Sequence, residues 1–128
     1  RLQSERAMAM VFVSHDLAVV AEVCDRIAVM YAGRVVETGP VDEVLNAPRH
    51  PYTAALLGSA PSFARNGEPL ATIPGSPPDP RDFPSGCRFA PRCAFADDAC
   101  LLAPYVLDGD GPRATACIRP EVVAGAAA

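Results

Sequence analysis

Apolar residues along the chain fall into short groups, and the spacing within each group predicts an element. Met8-Ala9-Met10-Val11-Phe12-Val13 is almost continuously apolar, the pattern of a strand covered on both faces of a parallel sheet. Ser14-His15-Asp16 ends that run, and Asp16 is a suitable N-cap for the segment after it. Leu17, Val20, Ala21 and Cys24 recur at helical spacing, which predicts a helix over 17–25 with one apolar face. Ile27-Ala28-Val29-Met30-Tyr31 reads as a second strand and Arg34-Val35-Val36-Glu37-Thr38 as a third, joined into a hairpin by the turn signal Ala32-Gly33. Pro40 suits the first turn of a helix reaching about Leu45, with Asp42 and Glu43 near its positive end. Another helix begins at Pro51 and carries Tyr52, Ala55 and Leu56 on one side.

The texture changes after residue 60, where eleven of the 14 prolines lie. Pro74-Gly75-Ser76-Pro77-Pro78-Asp79-Pro80 fits neither a helix nor a central strand. The chain therefore divides into an α/β part over 1–60, whose polar residues 1–7 suit a helix end, and an extended connector over 61–84. A small cysteine-bearing module covers 85–121, and the Ala/Gly-rich tail 122–128, with nothing to pack, is expected to fray. A module that small buries little apolar surface and needs a staple.

The formal net charge is -4, and all 11 basic residues are Arg. A mildly acidic chain with dispersed arginines argues against nucleic-acid binding. No apolar run is long enough to span a bilayer, so contact with a membrane would go through a partner. No signal segment opens the chain, which starts at Arg1 and not at Met; the expectation is a piece whose upstream part lies elsewhere.

Two groups of residues carry chemistry. His15 ends a predicted parallel strand, the place that faces the ligand crevice in α/β folds; the bland alternative is a strand-end imidazole that satisfies nearby backbone. Asp16 reads as a cap before it reads as a catalytic acid. His50 precedes a helix-starting proline and reads as structural, with Tyr52 and Phe63 as packing residues. A chain without Lys contains no P-loop, whose lysine neutralises phosphates. The second group is Cys87, Cys93, Cys100 and Cys117, spaced C-x5-C-x6-C-x16-C. Structural zinc usually uses closely spaced pairs, and none is present. Each thiol sits on its own loop, as around a larger object, and a [4Fe–4S] cluster accepts irregular spacing. Zinc, two disulfides or four unbound thiols remain the alternatives. Arg88, Arg92 and Arg113 are candidates to offset the negative charge of four thiolates on a cluster. Cys24, on the apolar helix face, reads as a core residue.

The succession Val11-Phe12-Val13-Ser14-His15-Asp16-Leu17, then Cys24-Asp25-Arg26-Ile27-Ala28-Val29-Met30-Tyr31-Ala32-Gly33-Arg34-Val35-Val36-Glu37, resembles the switch-histidine segment and following hairpin of ABC ATPases. His50-Pro51-Tyr52-Thr53-Ala54-Ala55-Leu56-Leu57, Pro74-Gly75-Ser76-Pro77-Pro78 and Gly86-Cys87-Arg88-Phe89-Ala90-Pro91-Arg92-Cys93 are similar to the C-terminal extension of the oligopeptide/dipeptide importers in that family. The resemblance covers roughly 8 to 121. It implies an α/β fold: the C-terminal part of a P-loop-type ABC nucleotide-binding domain, followed by an irregular Pro/Cys-rich extension. It implies that His15 contacts the γ-phosphate of ATP, with Mg2+ held mostly by upstream residues. The Leu-Ser-Gly-Gly-Gln signature and the water-polarising acid are absent here, so this stretch alone is expected to be inactive. It further implies pairing with a second ATPase subunit, as homo- or heterodimer, two transmembrane permeases, and an extracytoplasmic peptide-binding protein reached indirectly. The implied location is the cytoplasmic face of the membrane. Some family members carry an iron–sulfur cluster in this extension. The alternatives are an ATPase of a related nickel or small-solute importer, and a non-catalytic iron–sulfur interaction module.

Overall fold

A computed structural model describes residues 8–63, 70–109 and 111–126. Its regular elements are α1 (Leu17–Val23), β1 (Arg26–Tyr31), β2 (Arg34–Pro40), α2 (Val41–Asn46), α3 (Pro51–Ser59), α4 (Asp98–Leu102), β3 (Ala114–Thr115) and α5 (Glu121–Ala126). Short 3-10 turns occupy Pro61–Phe63 and Ala90–Arg92. No helix among the described residues is long and apolar enough to cross a membrane. The helix end expected over 1–7 lies outside the described residues.

The first half follows its sequence pattern closely. Asp16 caps α1, its Oδ1 accepting from the amides of Ala18 at 2.9 Å and Val19 at 3.3 Å. Strands β1 and β2 pair antiparallel around Ala32-Gly33, whose φ angles of 47° and 78° are both positive. A two-residue hairpin turn of the primed type requires that geometry, and Gly33 accepts it without strain. Strand β2 runs on through Pro40, so α2 starts one residue later than Pro40 suggests.

The ladder opposes Met30 to Val35 but Val29 to Glu37, leaving Val36 unopposed. This bulge breaks the inward–outward alternation. Val36 and Glu37, neighbours in sequence, are consequently both buried. Glu37, fully enclosed, accepts from the amides of Arg49 at 2.8 Å and His50 at 3.0 Å and from Arg113 Nη2 at 3.0 Å. A buried charge needs such partners, because unpaired it would carry a desolvation cost of several kcal/mol.

The core joins Leu17 and Val20 of α1, Ile27, Val29 and Tyr31 of β1, Val36, Val41 and Val44 of the next two elements, Leu57 of α3, and Phe89 from the cysteine module. Phe89, 2% exposed, sits edge-on to Tyr31 at 5.2 Å and to Tyr52 at 5.3 Å. The module also adds β3 to the hairpin, with Glu37 opposite Thr115 and Thr38 opposite Ala114, giving a three-stranded antiparallel sheet in the order β1-β2-β3.

Three expectations differ from this structure. Residues 8–14 form no strand, and Met8, Met10, Val11, Phe12 and Val13 are exposed. A central strand needs neighbours to complete its hydrogen bonds, and the described residues offer none beside this segment. The parallel pairing expected of that run is absent among the described residues, whereas the expected hairpin pairs antiparallel. In the tail, where fraying is expected, Glu121–Ala126 is helical and Val123 is buried.

Candidate functional site

His15 lies at the end of the strandless 8–14 segment, exposed, immediately before the capping Asp16. The structure brings none of the other candidate site residues to it. Ser14 Oγ accepts from the Asp16 amide at 3.0 Å, so the hydroxyl and carboxylate flanking His15 are both engaged in starting α1. This agrees with reading Asp16 as a cap.

The four cysteines of the module behave differently: Cys87, Cys93, Cys100 and Cys117 all line one largely apolar cavity. Several local devices bring them there. The Cys87 amide donates to the Cys100 carbonyl at 2.9 Å, tying the Cys87 loop to helix α4. Asp97 caps α4 by accepting from the Cys100 amide at 3.1 Å. Cys93 ends the 3-10 turn, its amide donating to the Ala90 carbonyl at 3.1 Å. Cys117 follows β3, and the Ala116 amide before it donates at 2.8 Å to the carbonyl of the bulged Val36. The irregularity in β2 thus places the fourth thiol. Cys24 is half-buried against the core, away from this cavity.

All five cysteines are free thiols. Burial raises the Cys117 thiol to about 11, opposed by the Arg119 amide and reinforced by repulsion from Cys87, Cys93 and Cys100. Burial also raises Cys93 and Cys100, with the neighbouring thiols adding to it. Burial and the neighbouring thiols thus favour the protonated form of Cys93, Cys100 and Cys117. Loading with a metal would displace those protons. Among the described residues no three His, Cys, Asp or Glu side chains converge tightly enough to hold a single metal ion.

His50 faces the same cavity. It is 1% exposed, and its Nδ1 accepts from the Tyr52 amide at 3.0 Å as the N-cap of α3. Burial lowers its pKa to about 4, keeping the ring neutral. The structural role expected of His50 agrees with this geometry.

The arginines differ from expectation. Arg113 turns to Glu37 and to the Ala47 carbonyl, and does not line the cysteine cavity. Arg92 donates to the carbonyls of Ile73 and Pro74 and to the Tyr31 hydroxyl. Arg88 alone of the three lines the cysteine cavity, joined by Arg34 and Arg119. Arg34 escaped the sequence reading because it belongs to the hairpin, and only the docking of the module carries it to the cysteines.

Residues 36–100 match the family described as the C-terminal region of oligopeptide/dipeptide transporters. A Brucella ovis protein provisionally named a peptide import ATP-binding protein is 50% identical over 131 residues, covering 97% of this chain and 39% of its own length. A Brucella abortus protein with the same kind of name is 47% identical over 116 residues, covering 91% of this chain and 35% of its own. The chain spans about two fifths of the length of such curated relatives.

Proposed function

Because the chain belongs to the family of oligopeptide/dipeptide transporter C-terminal regions, we propose that it forms the C-terminal part of an ATP-binding subunit that energises peptide import. The observation that carries this is the family match over 36–100, continued upstream by similarity through the Ser14-His15-Asp16 segment to peptide-import ATP-binding proteins. In this reading His15 meets the γ-phosphate of ATP. An imidazole there stabilises charge that develops during phosphoryl transfer and distinguishes ATP from ADP. The phosphate-cradling loop and Mg2+ ligands come from sequence outside these 128 residues. The subunit pairs with a second ATPase and drives two permeases from the cytoplasmic face of the membrane, while a binding protein outside delivers the peptide.

The second part of the proposal is that Cys87, Cys93, Cys100 and Cys117 hold a [4Fe–4S] cluster. The donor set fits: four thiols around one cavity, with cationic side chains on its wall. A tetrahedral zinc site would draw four sulfurs to about 2.3 Å from one ion, and so within about 4 Å of each other. In a cubane each thiolate takes its own iron, so the sulfurs stand further apart. Among the described residues no three such donors converge on a single-ion site, while all four thiols line one cavity, which favours the cluster over zinc. When bound, the cluster supplies cross-linking free energy to a module with little core of its own. This chain's contribution is to bring the four ligand loops together through Cys87–Cys100 backbone pairing and β3.

Uptake of a labelled oligopeptide and of nickel, compared in cells with and without the coding sequence, tests the transport reading. Deletion is expected to lower peptide uptake and leave nickel uptake unchanged. The reverse result would make this the ATPase of a nickel importer.

A further inference from the structure

Two arginines on the wall of the cysteine cavity lack the anionic partners that their partial burial calls for. Arg34 begins β2, immediately after the hairpin turn; its guanidinium lies 4.8 Å over the Tyr105 ring, and Nη1 donates to the Gly86 carbonyl at 3.4 Å, next to Cys87. Arg88 follows Cys87; Nη1 donates to the Ala32 carbonyl in the hairpin turn, its guanidinium stacks 3.7 Å over Phe83, and its Nε is buried without a hydrogen-bond partner. Neither has a carboxylate partner among the described residues, whereas Arg113, Arg119 and Arg81 do. Both guanidinium-bearing side chains line the same cavity.

Like charges at a half-buried site cost free energy unless an anion lies between or beside them. The cavity they line presents four thiols, and a thiolate-bound iron–sulfur core is that anion. We propose that Arg34, supplied by the hairpin and not by the cysteine module, is the charge partner of the cysteine-held cluster and tunes its reduction potential. This inference rests on the cluster reading above. Arg34 is a positioning and tuning residue: it touches the Cys87 loop through Gly86 and acts on the cluster through its charge. Added negative charge on reduction is stabilised by a nearby cation, so removing the cation must disfavour the reduced form.

The test uses the full chain, purified without oxygen and titrated with dithionite while the visible and EPR signals of the cluster are followed. Arg34→Gln is expected to retain iron and sulfide in equal amounts, with the reduced-to-oxidised ratio at a fixed potential falling about tenfold, a shift of about 59 mV for one electron. Arg34→Lys, which keeps the charge, is expected to restore most of the wild-type ratio. Arg81→Gln, on an exposed arginine paired with Asp79, should leave it unchanged. A wild-type potential in a loaded Arg34→Gln protein would overturn the proposal. If Arg34→Gln fails to load, Arg34→Lys decides: recovered loading supports the need for charge, and equal failure shows that Arg34 serves only shape. Wild-type protein that yields zinc, or no iron and sulfide, refutes the cluster reading itself and this inference with it.

Discussion

His50 shows how one buried ring constrains the molecule. Its Nδ1 is committed to the Tyr52 amide, its own amide donates to Glu37, and its ring lies among Phe89 and the cavity wall. The folded pKa of about 4 lies below the ordinary 6.5, so folding favours the neutral ring. That contribution is fully present above about pH 6.5 and is lost as pH falls towards 4. By pH 4 the loss reaches about 3 kcal/mol, at 1.36 kcal/mol for each pKa step. His50→Asn keeps an N-cap acceptor and removes the titration. Denaturant unfolding at pH 7 and pH 4 should show a smaller drop in stability for the variant, by about that amount. Equal drops in both proteins would mean that the ring is charged or free in the fold. The capping position of His50 could be read from the proline after it; its burial could not, because that depends on Phe89 arriving from the module.

At the scale of elements, one close backbone approach joins the module to the hairpin and another closes the module on itself. Val36 bulges out of register and offers its carbonyl to Ala116. Gly86 is packed so tightly that a Cβ there would lie 2.5 Å from the carbonyl oxygens of both Cys100 and Leu101. Gly86→Ala must therefore push the Cys87 loop off helix α4. If the proposed cluster is held here, the variant is expected to lose most of it, read as iron and sulfide per chain, while far-UV circular dichroism changes little because α1 to α3 do not depend on that contact. Full iron content in Gly86→Ala would show that the ligand loops do not need this approach. The sequence pattern made α1, the hairpin, α2 and α3 legible, since each is set by local spacing, turn or cap residues. It hid what depends on distant partners. The bulge at Val36 lies in the β1–β2 register, β3 forms where the module pairs with β2, and Arg113 of the module completes the enclosure of Glu37. Residues 8–13 are the converse case, an apolar run that predicts a strand but has no neighbouring strand among the described residues.

Across the whole molecule, the cysteine module and the hairpin share one core. Phe89 enters between Tyr31 and Tyr52, Arg113 closes on Glu37, and β3 extends the sheet. The four candidate ligands were recognisable in sequence as a group, and their common cavity agrees with that grouping. Which arginines accompany them was not recognisable, because Arg34 is remote from the cysteines along the chain. The His15 site is incomplete by composition, since a chain without Lys cannot supply the phosphate-neutralising lysine. Under the proposed function, its role is therefore to be read in an assembled transporter. The most direct measurement is ATP binding, ATP hydrolysis and oligopeptide uptake by that assembly in membrane vesicles, wild type against His15→Ala. A group that senses the γ-phosphate acts mainly after binding. The account predicts ATP affinity within a few-fold of wild type and a loss of about 100-fold or more in hydrolysis and uptake, the scale of removing one charge-stabilising group. Hydrolysis and uptake near wild-type levels in His15→Ala would contradict it.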